Sequence, residues 1–445
     1  MRSIFLSAVF DSSSFIKRSF EDSITLQCIL AFLDFLESAF SRSLVRKVLQ
    51  HLSSVYPKRL WSYLDRINSR LGRGVISGGG IFNPLLIFPL VYLGFVGISS
   101  YRLSNLALAS IGIGIGFFML GAVFSKMAKF GDIYLDASSR RIAVFLLAVG
   151  ISFLAFDLLY VGSIPLLDPL ARRYLSVTYT MLASLTVPGS ILMISLMGIQ
   201  FRRGNMTLGE ARVYAVFVML ATTFLMSLLG YRTQMLVSLL GCVIAMYQTE
   251  IIGPAEILLA FFAAIFGISS VGYLRALQEG GSIAFFDIIG KRIGLTLSIY
   301  DWLVNRFWVF GVNHGSVALA TFSSFLPIPG SRFGPRTIVA RIFGIKGISM
   351  TSTLFGTVVL DFGIPGIVVF AFAFGIVVGA AYQAVKQTKS ALTTAVFSLF
   401  MAYTLIGIET GLVDFNVAMF FFAGIVILIN SIENRIQWIT PEGSR

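Results

Sequence analysis

The chain is 445 residues long, 56% hydrophobic and only 12% charged, with a formal net charge of +13. Soluble globular chains carry about 25% charged residues, and no soluble core of this size could hide so much apolar surface. A bilayer accepts it on the outside of a helix bundle. The positive balance, which would suggest nucleic acid in a soluble protein, reads here as loops facing anionic lipid, and two cysteines, Cys28 and Cys242, are too few for a disulfide framework or metal cluster.

Residues 1–80 stand apart. Leu26, Ile29, Leu30, Leu33, Leu36 and Phe40 recur at helical spacing, as do Val45, Val48, Leu49 and Leu52, with Arg42, Arg46, Lys47, Lys58 and Arg59 between and beyond them. The pattern predicts a basic amphipathic stretch lying in the cytoplasmic membrane interface, with a solvated tail as the alternative. The first ten residues lack a cleavage site and do not read as a signal peptide.

From 81 to 432 the spacing predicts a single membrane domain. Charge-free runs of the length a hydrocarbon core requires, about 17–25 residues, cover 81–98, 103–124, 174–201, 213–231, 233–249, 257–274, 362–385, 390–408 and 415–432. A further run at 142–162 is interrupted only by Asp157. The expected architecture is all-α: a polytopic bundle of about ten transmembrane helices with a long extracytoplasmic loop at 275–350 and a cytoplasmic tail at 433–445. With both termini inside, roughly two-thirds of the lysines and arginines lie on the cytoplasmic side, the sense the positive-inside rule requires.

Two segments invite other readings. Residues 307–331 are also charge-free, and an eleventh span there would invert everything after it. Asn313, His314, Gly315, Ser316, Pro327 and Pro329 make a poor lipid-facing helix, so a loop or re-entrant element is expected. Gly112, Gly114 and Gly116 sit inside a span with no preceding strand, which predicts close helix packing instead of a phosphate loop.

The sequence has no Walker loop, no HExxH and no DXD-type carboxylate pair, and no metal or cofactor is expected. What it offers is a set of polar groups at the outer face, and polar groups beside lipid are functional candidates. Arg232 stands in Gly230-Tyr-Arg-Thr-Gln234, a hinge between two apolar spans, where it serves either as a snorkelling anchor or as a bidentate anion clamp. Arg172 and Arg173 follow the proline-stiffened turn 162–171, where one of them has Asp168 as an alternative partner. In the 275–350 loop Arg275, Lys291, Arg292, Arg306, Arg332, Arg336, Arg341 and Lys346 stand against Glu279, Asp287 and Asp301. A solvated face mixes both signs; this imbalance points to an anionic ligand. Candidate bases are His314, in Gly311-Val-Asn-His-Gly315, and Asp361, in Leu360-Asp-Phe-Gly-Ile-Pro-Gly366, for which ion pairing is the competing role. Glu409 and Asp414 bracket a short outer turn and read as ordinary loop charges.

Three features together resemble the oligosaccharide repeat-unit polymerases, the Wzy-type O-antigen polymerases. They are the Gly162-Ser-Ile-Pro-Leu-Leu turn with its following arginines, the Gly230-Tyr-Arg-Thr-Gln234 hinge, and the basic outer loop leading into Thr351-Ser-Thr and Leu360-Asp-Phe-Gly-Ile-Pro-Gly366. The resemblance covers most of 80–432. It implies a GT-C-like bundle in the cell membrane and a metal-independent glycosyltransferase working on its extracytoplasmic face. It further implies a polyprenyl-diphosphate-linked oligosaccharide as substrate, with a flippase and a chain-length regulator as possible partners and no nucleic acid. Under it, Arg232 holds diphosphate with help from Arg172, Arg173, Arg275, Arg332, Arg336 and Arg341, and His314 or Asp361 takes the acceptor proton. Related O-antigen ligases use outer-face arginines with a loop histidine, so His314 keeps that alternative open. A transporter or flippase of an anionic lipid-linked sugar is the third reading; it would place charges near the midplane and pair its broken helices.

Overall fold

A computed structural model describes residues 64–69, 80–131, 136–168, 170–260, 287–310, 313–346, 349–388 and 390–437. Thirteen α-helices are used below: α1 Pro84–Ile98, α2 Asn105–Phe124, α3 Asp136–Val161, α4 Val177–Ala183, α5 Thr186–Arg202, α6 Leu208–Leu228, α7 Arg232–Gln248, α8 Asp287–Phe310, α9 Ser316–Ser323, α10 Pro335–Ile342, α11 Thr353–Thr388, α12 Ala391–Thr410 and α13 Phe415–Gln437. Their ends follow local chemistry. Ser104, Ser176 and Ser390 accept the amides of Ala107, Tyr179 and Thr393 as N-caps of α2, α4 and α12. Thr207 and Glu210 close a reciprocal capping box at the start of α6.

Seven helical segments among the described residues are long and apolar enough to cross a membrane: Asn105–Met127, Ser139–Val161, Val177–Arg202, Leu208–Leu228, Thr353–Thr388, Ala391–Thr410 and Phe415–Ile432. Each coincides with an expected span. Two more expected spans are helices of 15 and 17 residues, α1 and α7. The expected span 257–274 and the amphipathic stretch at 26–52 fall almost wholly or wholly outside the described residues.

The 275–350 region is more regular than a loop. It contains the 24-residue helix α8, whose buried residues Leu297, Tyr300, Leu303 and Val304 face the bundle. Residues 307–331 do not form one helix: α8 ends at Phe310, α9 is eight residues long, and a proline-containing loop follows. This is the broken element that the glycine and proline content of the segment predicts.

Between α2 and α11 the backbones touch. A Cβ on Gly121 would overlap the Phe372 carbonyl, and one on Gly375 would overlap that of Phe118. In lipid there is little hydrophobic drive between helices, so close packing of small residues carries their association. Of the three glycines in 112–116, only Gly114 packs, against the Phe355 ring, while Gly112 and Gly116 meet nothing within 4 Å. The contact thus uses Gly114 and Gly121, seven residues or about two turns apart on one face of α2.

The remaining architecture is set at the two ends. One end carries residues 99–104, the turn residues 162–168 and 170–176, the hinge 229–231, residues 313–346 and 349–352, and the turn 411–414. The other carries 125–131, 203–207, 249–253 and Ser390, the cap of α12. At this second end Arg212, on α6, is buried and reaches Asp65 at 2.7 Å, Glu256 at 3.6 Å and the Ile251 carbonyl at 2.8 Å. Asn68 donates to Glu256 at 2.7 Å and accepts from the Ala255 amide. The helical turn at 64–69 is therefore docked onto the bundle.

Candidate functional site

The first end holds a cavity of about 350 Å³. Six separate stretches of chain build it: the start of α4, the α6–α7 hinge, the end of α9, the first turn of α10, Ser349 between α10 and α11, and the α12–α13 turn. Two of the sequence motifs meet here. The Leu166 amide donates to the Leu228 carbonyl at 3.2 Å, and Gly230 packs against the Pro165 carbonyl. Gly230 has φ +69, a conformation that glycine adopts without the clash other residues incur. Arg172 then crosses the junction, its Nη1 3.5 Å from the Gly230 carbonyl and its guanidinium 5.8 Å from the centre of the Tyr231 ring.

Tyr231, Thr233 and Gln234 line the cavity, whereas Arg232, half-buried at the first position of α7, is not among the lining side chains. Partial burial raises the Tyr231 phenol above its ordinary value, against the pull of Arg172, so the hydroxyl stays neutral at physiological pH. Across from it, Phe325 stacks on Phe415 with ring centres 4.5 Å apart. Thr180, Thr321, Ser324, Thr337 and Asn416 add hydroxyl and amide groups to the wall.

Charge enters the lining as one ion pair. Arg336, in the first turn of α10, contacts Asp414 of the α12–α13 turn at 2.9 Å. Its side chain is 21% exposed and that of Asp414 36%. The Nε of Arg336 is buried and has no hydrogen-bond partner among the described residues. The other cations at this end sit apart from the cavity lining. Arg341 lies over the Phe333 ring at 3.3 Å, Arg306 over Trp302 at 5.2 Å, and Arg292 pairs with Glu409. Arg173 and Arg332 are exposed, and Arg275 lies outside the described residues.

The two candidate bases belong to a different construction. Pro365 has no amide to offer the carbonyl four residues back, and α11 bends at Gly363, whose φ is 65° and ψ −160°. The freed carbonyls are taken up by the neighbouring segment: Asp361 accepts from the His314 amide at 3.0 Å and Leu360 from the Asn313 amide at 3.1 Å. The Asp361 carboxylate, 1% exposed, accepts the amides of Val317 and Ala318 at 2.9 and 2.7 Å. It caps α9 from another helix, both oxygens committed. His314 is exposed at the start of α9 with φ 48°. The opposite end of α9, about 12 Å away at 1.5 Å per residue, supplies Thr321 and Ser324 to the cavity.

Buried Asp157 has a related task. It accepts the Ser176 amide at 2.9 Å and the Thr180 hydroxyl at 2.6 Å, fixing the start of α4 and with it one cavity wall. Asp414, Tyr231 and Gln234 escaped the sequence reading as site residues. Their signal was positional: each lies at a turn between spans, on the end that gathers the arginines.

The matched family extends over residues 80–421 and is described as "Putative O-antigen polymerase". The chain belongs to that family. A protein of Methanocaldococcus jannaschii described as uncharacterized is 32% identical over 292 residues, covering 65% of this chain and 76% of the relative. No solved structure matches. The O-antigen polymerase family is a membrane family of polysaccharide biosynthesis whose substrate is lipid-linked oligosaccharide, which agrees with the apolar helices and with the resemblance carried by 162–173, 230–234 and 351–366. The family match begins at residue 80, where the apolar bundle begins, and leaves the basic N-terminal segment outside it.

Proposed function

We propose that this protein is a metal-independent glycosyltransferase that joins polyprenyl-diphosphate-linked oligosaccharide repeat units at the outer face of the cell membrane. The observation that carries the reading is the cavity itself. A guanidinium, an aromatic pair and a ring of hydroxyl and amide groups converge at one end of a lipid-embedded bundle. Aromatic faces and neutral hydrogen-bonding groups suit a sugar, and a partly buried guanidinium suits a phosphate oxygen.

In the proposed reaction the acceptor hydroxyl oxygen bonds to the anomeric carbon of the donor. The bond from that carbon to the diphosphate breaks, and the diphosphate leaves with the electron pair. Arg336, with Arg172 and Arg232 at the adjoining hinge, would stabilise the charge developing on the departing diphosphate. Arg173, Arg275, Arg332 and Arg341 would extend the field that draws the anionic lipid to this end. Of the two candidates for the acceptor proton, His314 is exposed while both Asp361 oxygens are engaged, but it stands a helix length from the cavity lining, so an acceptor reaching it would have to extend along α9. The end bearing the cavity would face outward, with residues 1–80 and 433–445 in the cytoplasm and a flippase and chain-length regulator as partners.

The test is the surface-glycan ladder of cells lacking the gene. Loss of long chains with single repeat units still attached supports a polymerase, and loss of all attached glycan indicates a ligase. An unchanged ladder removes both enzyme readings.

A further inference from the structure

We infer that Asp414 is a built-in counter-anion: in the empty protein it holds the part of Arg336 that a diphosphate takes when it binds. The inference deepens the reading above and rests on it for the identity of the anion.

Arg336 and Asp414 come from elements 78 residues apart in sequence, and both partners line the cavity. An ion pair whose task was only to tie two elements together would have no reason to face an open space on both sides. The first turn of α10 opens onto the same space, since Gly334, Pro335 and Thr337 also line it, and Gly334 caps the helix without a side chain. The positive end of the helix dipole therefore adds to the guanidinium at that point. A guanidinium presents five N–H donors in a planar fork that matches a carboxylate and a phosphate group alike. Asp414 uses one nitrogen, Nη2, and Nε has no partner among the described residues.

A partly buried guanidinium left without an anion is costly, and a single carboxylate offsets that cost in the empty state. It also sets a threshold. A monoanion gains little by displacing a carboxylate of the same charge, whereas a diphosphate brings more charge and more acceptor oxygens to the same fork. The pair thus favours a diphosphate ester over singly charged competitors.

The sign of one measurement decides. Binding of inorganic diphosphate to the purified full-length protein in detergent is followed by calorimetry for wild type, Asp414→Asn, Asp414→Ser and Arg336→Ala. Losing the internal competitor should tighten binding in both Asp414 variants by roughly tenfold, the equivalent of one charge-assisted hydrogen bond. Arg336→Ala should abolish it. Unchanged or weaker binding in folded Asp414 variants overturns the inference and makes Asp414 an orienting partner of Arg336. Equal binding in wild type and Arg336→Ala overturns it as well. The glycan ladder of the gene deletion reads the polymerase separately: an intact ladder sinks that reading while the affinity result for Asp414 stands, and a lost ladder with no tightening sinks only the counter-anion.

Discussion

The Asp361 carboxylate accepts the Val317 amide at 2.9 Å, so a residue on the broken helix α11 caps the short helix α9 across a gap of 44 positions. The same carboxylate also takes the Ala318 amide, and the Asp361 carbonyl, released by Pro365, takes that of His314. One residue therefore fixes both the depth and the direction of α9, and through it the position of Thr321 and Ser324 in the cavity wall.

A cap can be separated from a proton acceptor by isosteric exchange. Asn is among the good N-capping side chains, whereas Ala forfeits the cap at a cost of about 0.5–2 kcal/mol, more when the freed amides are buried. Asp361→Asn keeps one accepting oxygen but turns an amide NH2 toward the other backbone N–H, so it is expected to retain long glycan chains with a partial loss of thermal stability, and Asp361→Ala to lose both. Absence of polymer in a stable Asp361→Asn protein would show that the carboxylate takes part in the chemistry.

The hinge arginines should behave as a pair. Arg232→Ala is expected to abolish long-chain polymer while the protein remains in the membrane, and Arg172→Ala to reduce it by tenfold or more, roughly one charge-assisted hydrogen bond. Arg232→Lys should also impair the reaction, because an ammonium cannot reproduce a planar two-point contact. Chain-length profiles with membrane-fraction immunoblots check both, and normal chains in a well-expressed Arg232→Ala strain would take Arg232 out of the site.

At the opposite end, Arg212 is 4% exposed and faces Glu256, itself 7% exposed, as well as Asp65. Removing one member of a buried pair strands the other, at about 3–5 kcal/mol. Arg212→Ala should lower the melting temperature in detergent markedly. Asp65→Asn should lower it far less, since Asp65 is half exposed and water screens its share. Equal losses would mean that the docked turn at 64–69, not the buried pair, carries the stability.

Helix contact between α2 and α11 provides a packing test. Gly375→Val must push the side chain into the Phe118 backbone, and overpacking of this kind costs about 1–3 kcal/mol or more. Gly116→Val, on the open side of α2, should cost little. Detergent melting curves of the two variants compare them directly.

Sidedness is checked by cysteine labelling at Lys346, beyond α10, and at Lys386, near the other end of α11. The expected outcome is Lys346→Cys labelled from outside intact cells and Lys386→Cys labelled only after permeabilisation. The reverse pattern would place the cavity in the cytoplasm and remove the outer-face reaction.

Much of this molecule was legible beforehand. The seven long apolar helices fall where uncharged runs of membrane length fall, because in lipid a spanning segment must satisfy its own backbone and expose apolar side chains. The gathering of arginines at one end was equally visible, since alternating spans assign each loop to one side. The helical nature of 287–310 was not. Its apolar face alternates with Lys291, Arg292, Asp301 and Arg306, so no charge-free run marks it.

Sequence by itself determined the class of the protein, the order of its long apolar helices and the pool of cations at one end of the bundle, all of which follow from one-dimensional spacing and from the cost of charge in hydrocarbon. Tertiary structure decided which members of that pool share a space. Arg336 and Asp414 meet although 78 positions separate them, while Asp361, adjacent to a conspicuous Gly-Pro break, is turned to capping a helix. The reason is that every turn at one end of a bundle is equally eligible to meet every other until helix packing fixes their neighbours. Here the close α2–α11 contact and the cap on α9 are part of that packing.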